Sequence, residues 1–203
     1  MLVRLTTDEA VEALRRGEVV VLPTDTSYGL GCRAYDHEAV ARVVVAKRRP
    51  PGRPLPVLLP GVDLLRHHDL ETPLLHLAEL FWPGPLTIVV PAFPGLPPAV
   101  TAGTNMVGVR VSAHPLARAI VEALGEPVVA TSANRTGETA AASAAECDDV
   151  GFEGVAGIVD GGQLVGGASS VVGLRDGDLV VFREGPLGTQ ALREAWTTIR
   201  RAE

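Results

Sequence analysis

Several features that mark particular classes of protein are missing from this chain of 203 residues. It has only two cysteines, Cys32 and Cys147, which lie far apart and show no Cys-x-x-Cys spacing. A disulfide framework and a zinc site are therefore not expected, and two reduced thiols fit a cytoplasmic protein. No stretch approaches the roughly 18 consecutive apolar residues that a membrane span needs. An acidic pair at residues 8–9 with no apolar segment nearby argues against a signal peptide.

Aromatic residues and positive charge are also scarce. Aromatic side chains make up 4% of the chain, and the formal net charge is −6. This balance argues against a protein that coats nucleic acid through its overall charge, although it leaves room for a basic cleft, because the field in a cleft depends on nearby charges. The apolar fraction of 46% is enough for a sizeable core, and we expect residues 1–203 to form a single domain.

Strand-like and helix-like segments alternate along most of the chain, which predicts an α/β fold. Short apolar runs predict strands at residues 18–22, 55–59, 86–91, 107–111, 127–131, 157–159, 169–174 and 179–182. Capping residues and periodicity predict helices that begin near residues 6–7, 36, 72, 115 and 189, with Thr189 as the last cap, and a short helix after residue 142. A loop with Gly29 and Gly31 is expected after the first strand. Asp176 and Gly177 predict a hairpin, so the sheet should be mixed.

Positive charge and short polar groups are concentrated in two segments. Lys47 and Arg49 lie at the start of a loop rich in Pro and Gly, and Ser132 and Asn134 directly follow a predicted strand. Fixed cations together with hydroxyl and amide groups suit a polyphosphate and its nucleoside. Taken alone, a basic cluster is more often a solvated loop and a Ser-x-Asn sequence is more often a turn.

The two segments resemble the Lys-x-Arg and Ser-x-Asn signature of the YrdC/TsaC family, the threonylcarbamoyl-AMP synthases. Further stretches resemble the same family, in order along the chain, at residues 23–31, 81–87, 107–111, 160–162 and 169–172. The resemblance implies a YrdC-like single domain in which a twisted, open mixed sheet is flanked by helices around a large concave cavity. Other members carry an extra C-terminal domain, and we expect the residues that follow 183–186 to be too few to form one.

The resemblance implies a nucleotidyltransferase that makes threonylcarbamoyl-AMP and pyrophosphate from L-threonine, bicarbonate and ATP. Its product would serve a downstream tRNA threonylcarbamoyl transferase, which modifies the adenosine next to the anticodon. Mg²⁺ would arrive with ATP, without a metal site built by the protein. Two alternatives stay open: a module that binds double-stranded RNA or tRNA, with direct tRNA contact, and a carbamoyl-adenylate enzyme with another acceptor.

The resemblance also assigns roles to individual residues. Lys47 and Arg49 would hold the triphosphate and form the catalytic pair. The further ATP-binding residues would be Arg53, Ser132, Asn134 and Arg183. The threonine-binding residues would be Thr24, Thr26, Arg110, Ser169 and Ser170. Two structural alternatives remain, since the threonine hydroxyls can satisfy turn amides and Asp25 can be the partner of Arg110.

Three positions depart from the family pattern. Leu58 stands where some members have a histidine, Met106 where a threonine often precedes the strand, and Gly173 where an aspartate follows the paired valines. Each departure weakens one substrate contact, and none touches the Lys-x-Arg or Ser-x-Asn segment. The resemblance therefore supports nucleotide binding more strongly than strict threonine specificity.

Overall fold

The computed structural model describes residues 1–68 and 70–202. Within those residues, the strands are β1 (Val19–Pro23), β2 (Tyr28–Arg33), β3 (Val57–Leu58), β4 (Leu86–Pro91), β5 (Met106–Arg110), β6 (Val128–Ser132), β7 (Val155–Ile158), β8 (Ser170–Arg175) and β9 (Asp178–Arg183). They form one sheet in the order β7-β1-β2-β6-β3-β5-β4-β8-β9. The pairs β1–β7, β3–β5 and β4–β8 are parallel, and the other neighbouring pairs are antiparallel. The predicted α/β fold with a mixed sheet is confirmed.

Helices cover both faces of this sheet. They are α1 (Thr7–Arg15), α2 (His37–Ala46), α3 (Asp63–Arg66), α4 (Thr72–Phe81), α5 (Pro98–Thr101), α6 (Pro115–Leu124), α7 (Ala144–Val150) and α8 (Thr189–Arg201). Helices α1 and α6 share one apolar cluster with one face of β1, and α2 belongs to the larger cluster on the other face. Strand β1 is therefore buried on both sides, which explains why its sequence is a continuous apolar run. No helix of the described chain is long and apolar enough to cross a membrane.

Alternation along the central strands creates a polar surface on one face of the sheet. In β4, Leu86 and Ile88 lie in the main apolar core, whereas Thr87 and Val89 face a cavity. In β5, Gly108 and Arg110 face the same cavity. Because successive side chains of a strand point to opposite faces, one apolar run can complete the core and still present polar groups on the other side.

Three local predictions differ from the structure. The segment with Gly29 and Gly31 is strand β2 rather than a loop, and a Cβ at Gly31 would lie 2.5 Å from the side chain of Leu22, so glycine here permits close packing. The strand predicted at 55–59 is limited to β3, since the prolines around it have no N–H for the ladder. Thr189 is the first residue of α8 rather than its cap, and its hydroxyl donates to Glu184.

Candidate active site

A cavity of about 920 Å³ lies against the polar face of the central strands. All the predicted site residues except Lys47 and Ser170 line it. The lining members of that set are Thr24, Thr26, Arg49, Arg53, Arg110, Ser132, Asn134, Ser169 and Arg183. The fold thus brings together side chains from the loops and strand ends that the sequence motifs occupy.

The end of α2 sets the direction of the basic loop. Lys47 is the C-cap, and Arg48 follows in the left-handed conformation with φ of 49°. The backbone N–H of Arg48 donates to Val45 O at 2.9 Å, and that of Arg49 donates to Val44 O at 3.0 Å. This pair of bonds is a Schellman motif, which ends a helix and reverses the chain. The reversal places Lys47 and Arg49 on different sides of the cavity wall.

Arg49 faces the cavity and is held by its own loop. Its Nη2 donates to Pro54 O at 2.7 Å, and its Nε donates to Arg53 O at 3.2 Å. The other N–H groups of the guanidinium make no hydrogen bond to the described residues, so they can serve a ligand. Burial, together with the charge of Arg53, lowers the pKa of Arg49. Arg53 itself is exposed at the rim of the cavity.

Lys47 lies behind the cavity wall and is only 1% exposed. Its Nζ donates to Ser132 O, to Asn134 Oδ1 at 2.6 Å and to Asn134 O at 3.1 Å, and it lies 3.4 Å from Ser132 Oγ. Burial and the charge of Arg49 lower the pKa of Lys47 to about 8. The structure therefore links the two signature segments to each other. A contact between Lys47 and the triphosphate stays a prediction.

Ser132 and Asn134 form the wall in front of that lysine. Ser132 Oγ donates to Asn134 Oδ1 at 2.8 Å, and Asn134 Nδ2 donates to Glu138 O at 2.5 Å. Asn134 is 8% exposed, and both side chains line the cavity. At the end of β6, the hydroxyl oxygen of Ser132 and the second amide N–H of Asn134 are thus available to bind a molecule in the cavity.

The two threonines behave differently. Thr24 Oγ1 donates to Ser27 O at 2.7 Å and accepts from the N–H groups of Thr26 and Ser27, both at 3.3 Å. This is the turn-capping role that the sequence analysis left open. Thr26 Oγ1 instead accepts from Arg110 Nη1 at 3.4 Å, so Thr26 is the threonine that meets the strand cation.

Arg110 is 8% exposed and has a structural partner as well as a face on the cavity. Its Nη1 lies 3.6 Å from Asp25 Oδ1, which also accepts from Ser112 Oγ at 2.5 Å and from Ala113 N at 3.2 Å. Burial lowers the pKa of Arg110, the charge of Asp25 opposes this, and the charge of Arg183 adds to it. The Asp25 contact uses one corner of the guanidinium, so it does not exclude a substrate carboxylate.

Ser169 and Ser170 also separate into two roles. Ser169 Oγ lies 2.7 Å from Thr87 Oγ1 and accepts from Arg183 Nη2 at 3.1 Å, while Ser169 O accepts from Arg183 Nε at 2.9 Å. Ser170 is fully buried; its Oγ donates to Leu187 O at 2.7 Å and accepts from the N–H groups of residues 185 and 187. Ser169 faces the cavity, whereas Ser170 holds the segment after β9.

The cavity is strongly cationic although the protein is acidic. Among the described residues, four arginines line it, against the single lining carboxylate of Glu138. Burial lowers the pKa of Arg183, as it does for Arg49 and Arg110. In the part of the chain that the structure describes, no three His, Cys, Asp or Glu side chains cluster to hold a metal ion. The arrangement suits a multiply charged anion with a polar organic part, because the cations come from separate segments that are fixed by the fold.

A family profile matches most of the chain. The profile of Sua5, YciO and YrdC proteins, which carries the description "Telomere recombination", covers residues 12–185. The chain belongs to the Sua5/YciO/YrdC family. Both signature segments and the whole cavity fall within the matched residues.

Two curated members of the Sua5/YciO/YrdC family are named threonylcarbamoyl-AMP synthase. The protein from Pyrococcus abyssi is 35% identical over 92% of this chain, and the protein from Bacillus subtilis is 39% identical over 87%. The solved structure of P. abyssi Sua5 complexed with L-threonine matches 95% of this chain with a TM-score of 0.88 and 33% identity. This chain covers 56% and 52% of the two curated relatives and 58% of that solved chain, so it spans about half of their length.

This family member has further cavity residues that the sequence analysis did not assign. The hydroxyl of Thr87 is hydrogen-bonded to the hydroxyl of Ser169. In the sequence, only the lone hydroxyl of Thr87 within the apolar run 86–91 indicated such a role. Phe182 is 50% exposed at the cavity. A Cβ at Gly173 would lie 2.9 Å from Cε2 of Phe182, so the glycine that departs from the family pattern makes room for the ring. Nothing in the sequence alone marks this contact, because it joins two adjacent strands through an irregular register.

Proposed function

We propose that this protein is an L-threonylcarbamoyladenylate synthase. The observation that carries the proposal is the cavity in which four arginines from three segments meet the Ser132–Asn134 turn and the contact between Thr26 and Arg110. The names of the curated relatives and the threonine complex of P. abyssi Sua5 support it. Because this chain spans about half of those relatives, activity of the 203 residues by themselves is part of the proposal.

The proposed reaction needs positioning and charge stabilisation more than covalent catalysis. The amine of L-threonine takes up bicarbonate with loss of water and becomes a carbamate. A carbamate oxygen then attacks the α-phosphorus of ATP, the bond to the β-phosphate oxygen breaks, and pyrophosphate leaves. Negative charge is spread over the phosphoryl oxygens during this step, so fixed cations around the phosphates stabilise it.

The arginine side of the cavity would hold the phosphates. Arg49 has N–H groups available in a fork that its loop already fixes, which suits bidentate contact with phosphate oxygens. Arg53 at the rim and Arg183 beside Ser169 would complete the cationic surface. Ser132 and Asn134 would contact the adenylate part through the hydroxyl and the second amide N–H.

The part of the cavity around Arg110 would hold threonine. Arg110 would pair with the substrate carboxylate, and the hydroxyls of Thr26 and Ser169 would contact its polar groups. Thr24 would shape this pocket through its turn rather than by contact with the substrate. Leu58 and Met106 line the cavity where the family pattern has polar residues in some members, so the pocket would make fewer polar contacts here.

Other participants follow from the same proposal. Mg²⁺ would enter as the Mg–ATP substrate, coordinated by phosphate and water, since Glu138 is the only carboxylate among the described residues that line the cavity. Bicarbonate would be the carbon donor. We propose a cytoplasmic protein whose product passes to a tRNA threonylcarbamoyl transferase, with direct contact to tRNA as a further part of the proposal.

The first test measures pyrophosphate release from Mg–ATP, with threonine and bicarbonate omitted in turn. Release that requires both supports the proposal. Release that needs bicarbonate but not threonine would overturn the threonine assignment in favour of another acceptor, with Leu58 and Met106 as the first positions to change. No release, together with tRNA binding that falls steeply with salt, would replace the enzyme by an RNA-binding module. The net charge of −6 already argues against that module.

A further inference from the structure

The ammonium group of Lys47 has no hydrogen left for a phosphate. A lysine ammonium has three N–H donors. In this structure the acceptors around Nζ are Ser132 O, Ser132 Oγ, Asn134 O and Asn134 Oδ1. The donors are therefore fully used by the protein. A phosphate contact would require Lys47 to release at least one of the groups that form the cavity wall.

The main chain of Lys47 holds the same turn from a second side. Its carbonyl oxygen accepts from Thr136 N and from Thr136 Oγ1, each at 3.2 Å. Residues 132–136 are thus fixed at one end by the side chain of Lys47 and at the other by its backbone. Other hydrogen bonds hold the same segment, including Ala133 N to Tyr28 O at 2.7 Å and Asn134 Nδ2 to Glu138 O at 2.5 Å, and the contacts of Lys47 add to them.

The buried charge of Lys47 also polarises the side-chain amide of Asn134. No carboxylate lies within ion-pair distance of Lys47 in the described ranges, so its charge is stabilised only by neutral oxygens. Asn134 Oδ1 accepts from both Lys47 Nζ and Ser132 Oγ. Accepting from a cation draws electron density from the amide and makes its N–H a stronger donor, because hydrogen bonds in a chain polarise one another.

We infer that Lys47 is a positioning residue that holds the Ser132–Asn134 turn and strengthens Asn134 as a donor, while Arg49 contacts the phosphates. The identity of the ligand rests on the proposed function. The contacts by which Lys47 holds the turn do not rest on the proposed function, and they can be tested without nucleotide.

The first experiment compares Lys47→Met with Arg49→Ala in the nucleotide-free protein. Methionine keeps the unbranched chain length but removes the donors and the charge. Amide hydrogen exchange of residues 132–138 should become at least tenfold faster in Lys47→Met and stay within twofold of the wild type in Arg49→Ala. Unchanged exchange in Lys47→Met would overturn the inference, whether or not the protein proves to be the proposed enzyme.

The second experiment compares the affinities for AMP and ATP. A residue that acts through Ser132 and Asn134 affects the adenylate part, so Lys47→Met should weaken AMP and ATP binding by the same factor, about tenfold or more. Arg49→Ala should weaken ATP binding about tenfold more than AMP binding. In an Asn134→Ala background, the effect of Lys47→Met should shrink to within threefold. A selective loss of ATP affinity in Lys47→Met, or additive effects in the double variant, would show direct phosphate contact instead.

A third measurement uses the unaltered protein and so remains decisive if Lys47→Met does not fold. With ¹⁵N-labelled lysine, a scalar coupling across a hydrogen bond between Nζ of Lys47 and the ³¹P nuclei of bound ATP would overturn the inference. Bonds retained from Nζ to residues 132 and 134 with ATP bound, and no such coupling, would support it. Failure of the wild type to bind either nucleotide would refute the proposed function and leave the exchange experiment to decide the positioning role.

Discussion

Replacing Arg110 by methionine should separate threonine binding from ATP binding. Arg110 lies among Thr26, Asp25 and the cavity, and it is 8% exposed. Methionine retains much of the apolar volume of the arginine stem. Asp25 keeps two donors after the change, because Ser112 Oγ at 2.5 Å and Ala113 N at 3.2 Å still bind its Oδ1. The turn that carries Thr26 should therefore survive.

The size of the effect follows from the lost contact. A hydrogen bond to a charged group contributes about 1.5–3 kcal/mol, and a guanidinium can make one or two such bonds to a carboxylate. A loss of about 2–4 kcal/mol corresponds to a threonine requirement that rises roughly 30- to 1,000-fold. ATP binding should change by less than about fivefold, because Arg49 and Arg53 lie on a different loop.

The assay is pyrophosphate release at varied threonine with saturating ATP, and then at varied ATP with saturating threonine. Arg118→Met is the matched control, since Arg118 forms an exposed pair with Glu122 at 3.1 Å on α6, away from the cavity. The control should leave both requirements unchanged. Equal increases for the two substrates in Arg110→Met would mean that Arg110 serves the fold through Asp25, and the threonine assignment would be withdrawn.

Three further outcomes are expected. Gly173→Asp should displace the ring of Phe182 and lower the unfolding free energy by about 1–3 kcal/mol in urea titrations, whereas Gly61→Asp, where a Cβ meets nothing within 4 Å, should not. Ser170→Ala should lower stability by about 1–3 kcal/mol through unpaired backbone groups and leave the threonine requirement unchanged; a raised requirement would restore Ser170 as a substrate contact. Burial lowers the pKa of Lys47 from 10.5 to about 8. As the pH rises, the folded state therefore loses the ammonium proton of Lys47 at a lower pH than the unfolded state does. The stability of wild type relative to Lys47→Met should therefore rise between pH 8 and 10.5, and a flat difference would contradict a buried ammonium.

Sequence patterns predicted the elements wherever local signals agreed with tertiary packing. The predicted ranges 86–91 and the helix starting at 115 agree with β4 and α6. The helix start at Asp36 is confirmed by its side-chain cap on Ala39 N at 2.9 Å. Strand β2 was missed because its glycines normally mark loops, and only contact with the neighbouring strand shows why glycine is required there.

The candidate site could be predicted as a set of residues but not as a geometry. The family resemblance identified the four arginines that line the cavity and the Ser132–Asn134 turn, but it missed other polar lining residues such as Thr87, Thr104 and Glu138. It did not distinguish Ser169 from Ser170, because consecutive residues of a strand differ only in the face of the backbone on which they lie. It also did not show that Thr24 caps the turn while Thr26 contacts Arg110. That choice depends on strand register and turn hydrogen bonds, which are set by distant parts of the chain.

The Lys-x-Arg segment shows most clearly why geometry adds to the motif. A spacing of two residues would place both cations on one side of an extended loop, and lysine is a residue type that is rarely buried. Here Lys47 is the C-cap of helix α2, and the left-handed residue Arg48 turns the chain before Arg49. Lys47 therefore points into the protein with α2, while Arg49 leaves with the loop and faces the cavity. The two cations of one motif thus lie on opposite sides of the same wall: Lys47 binds the protein, and Arg49 is the one that we propose binds the ligand.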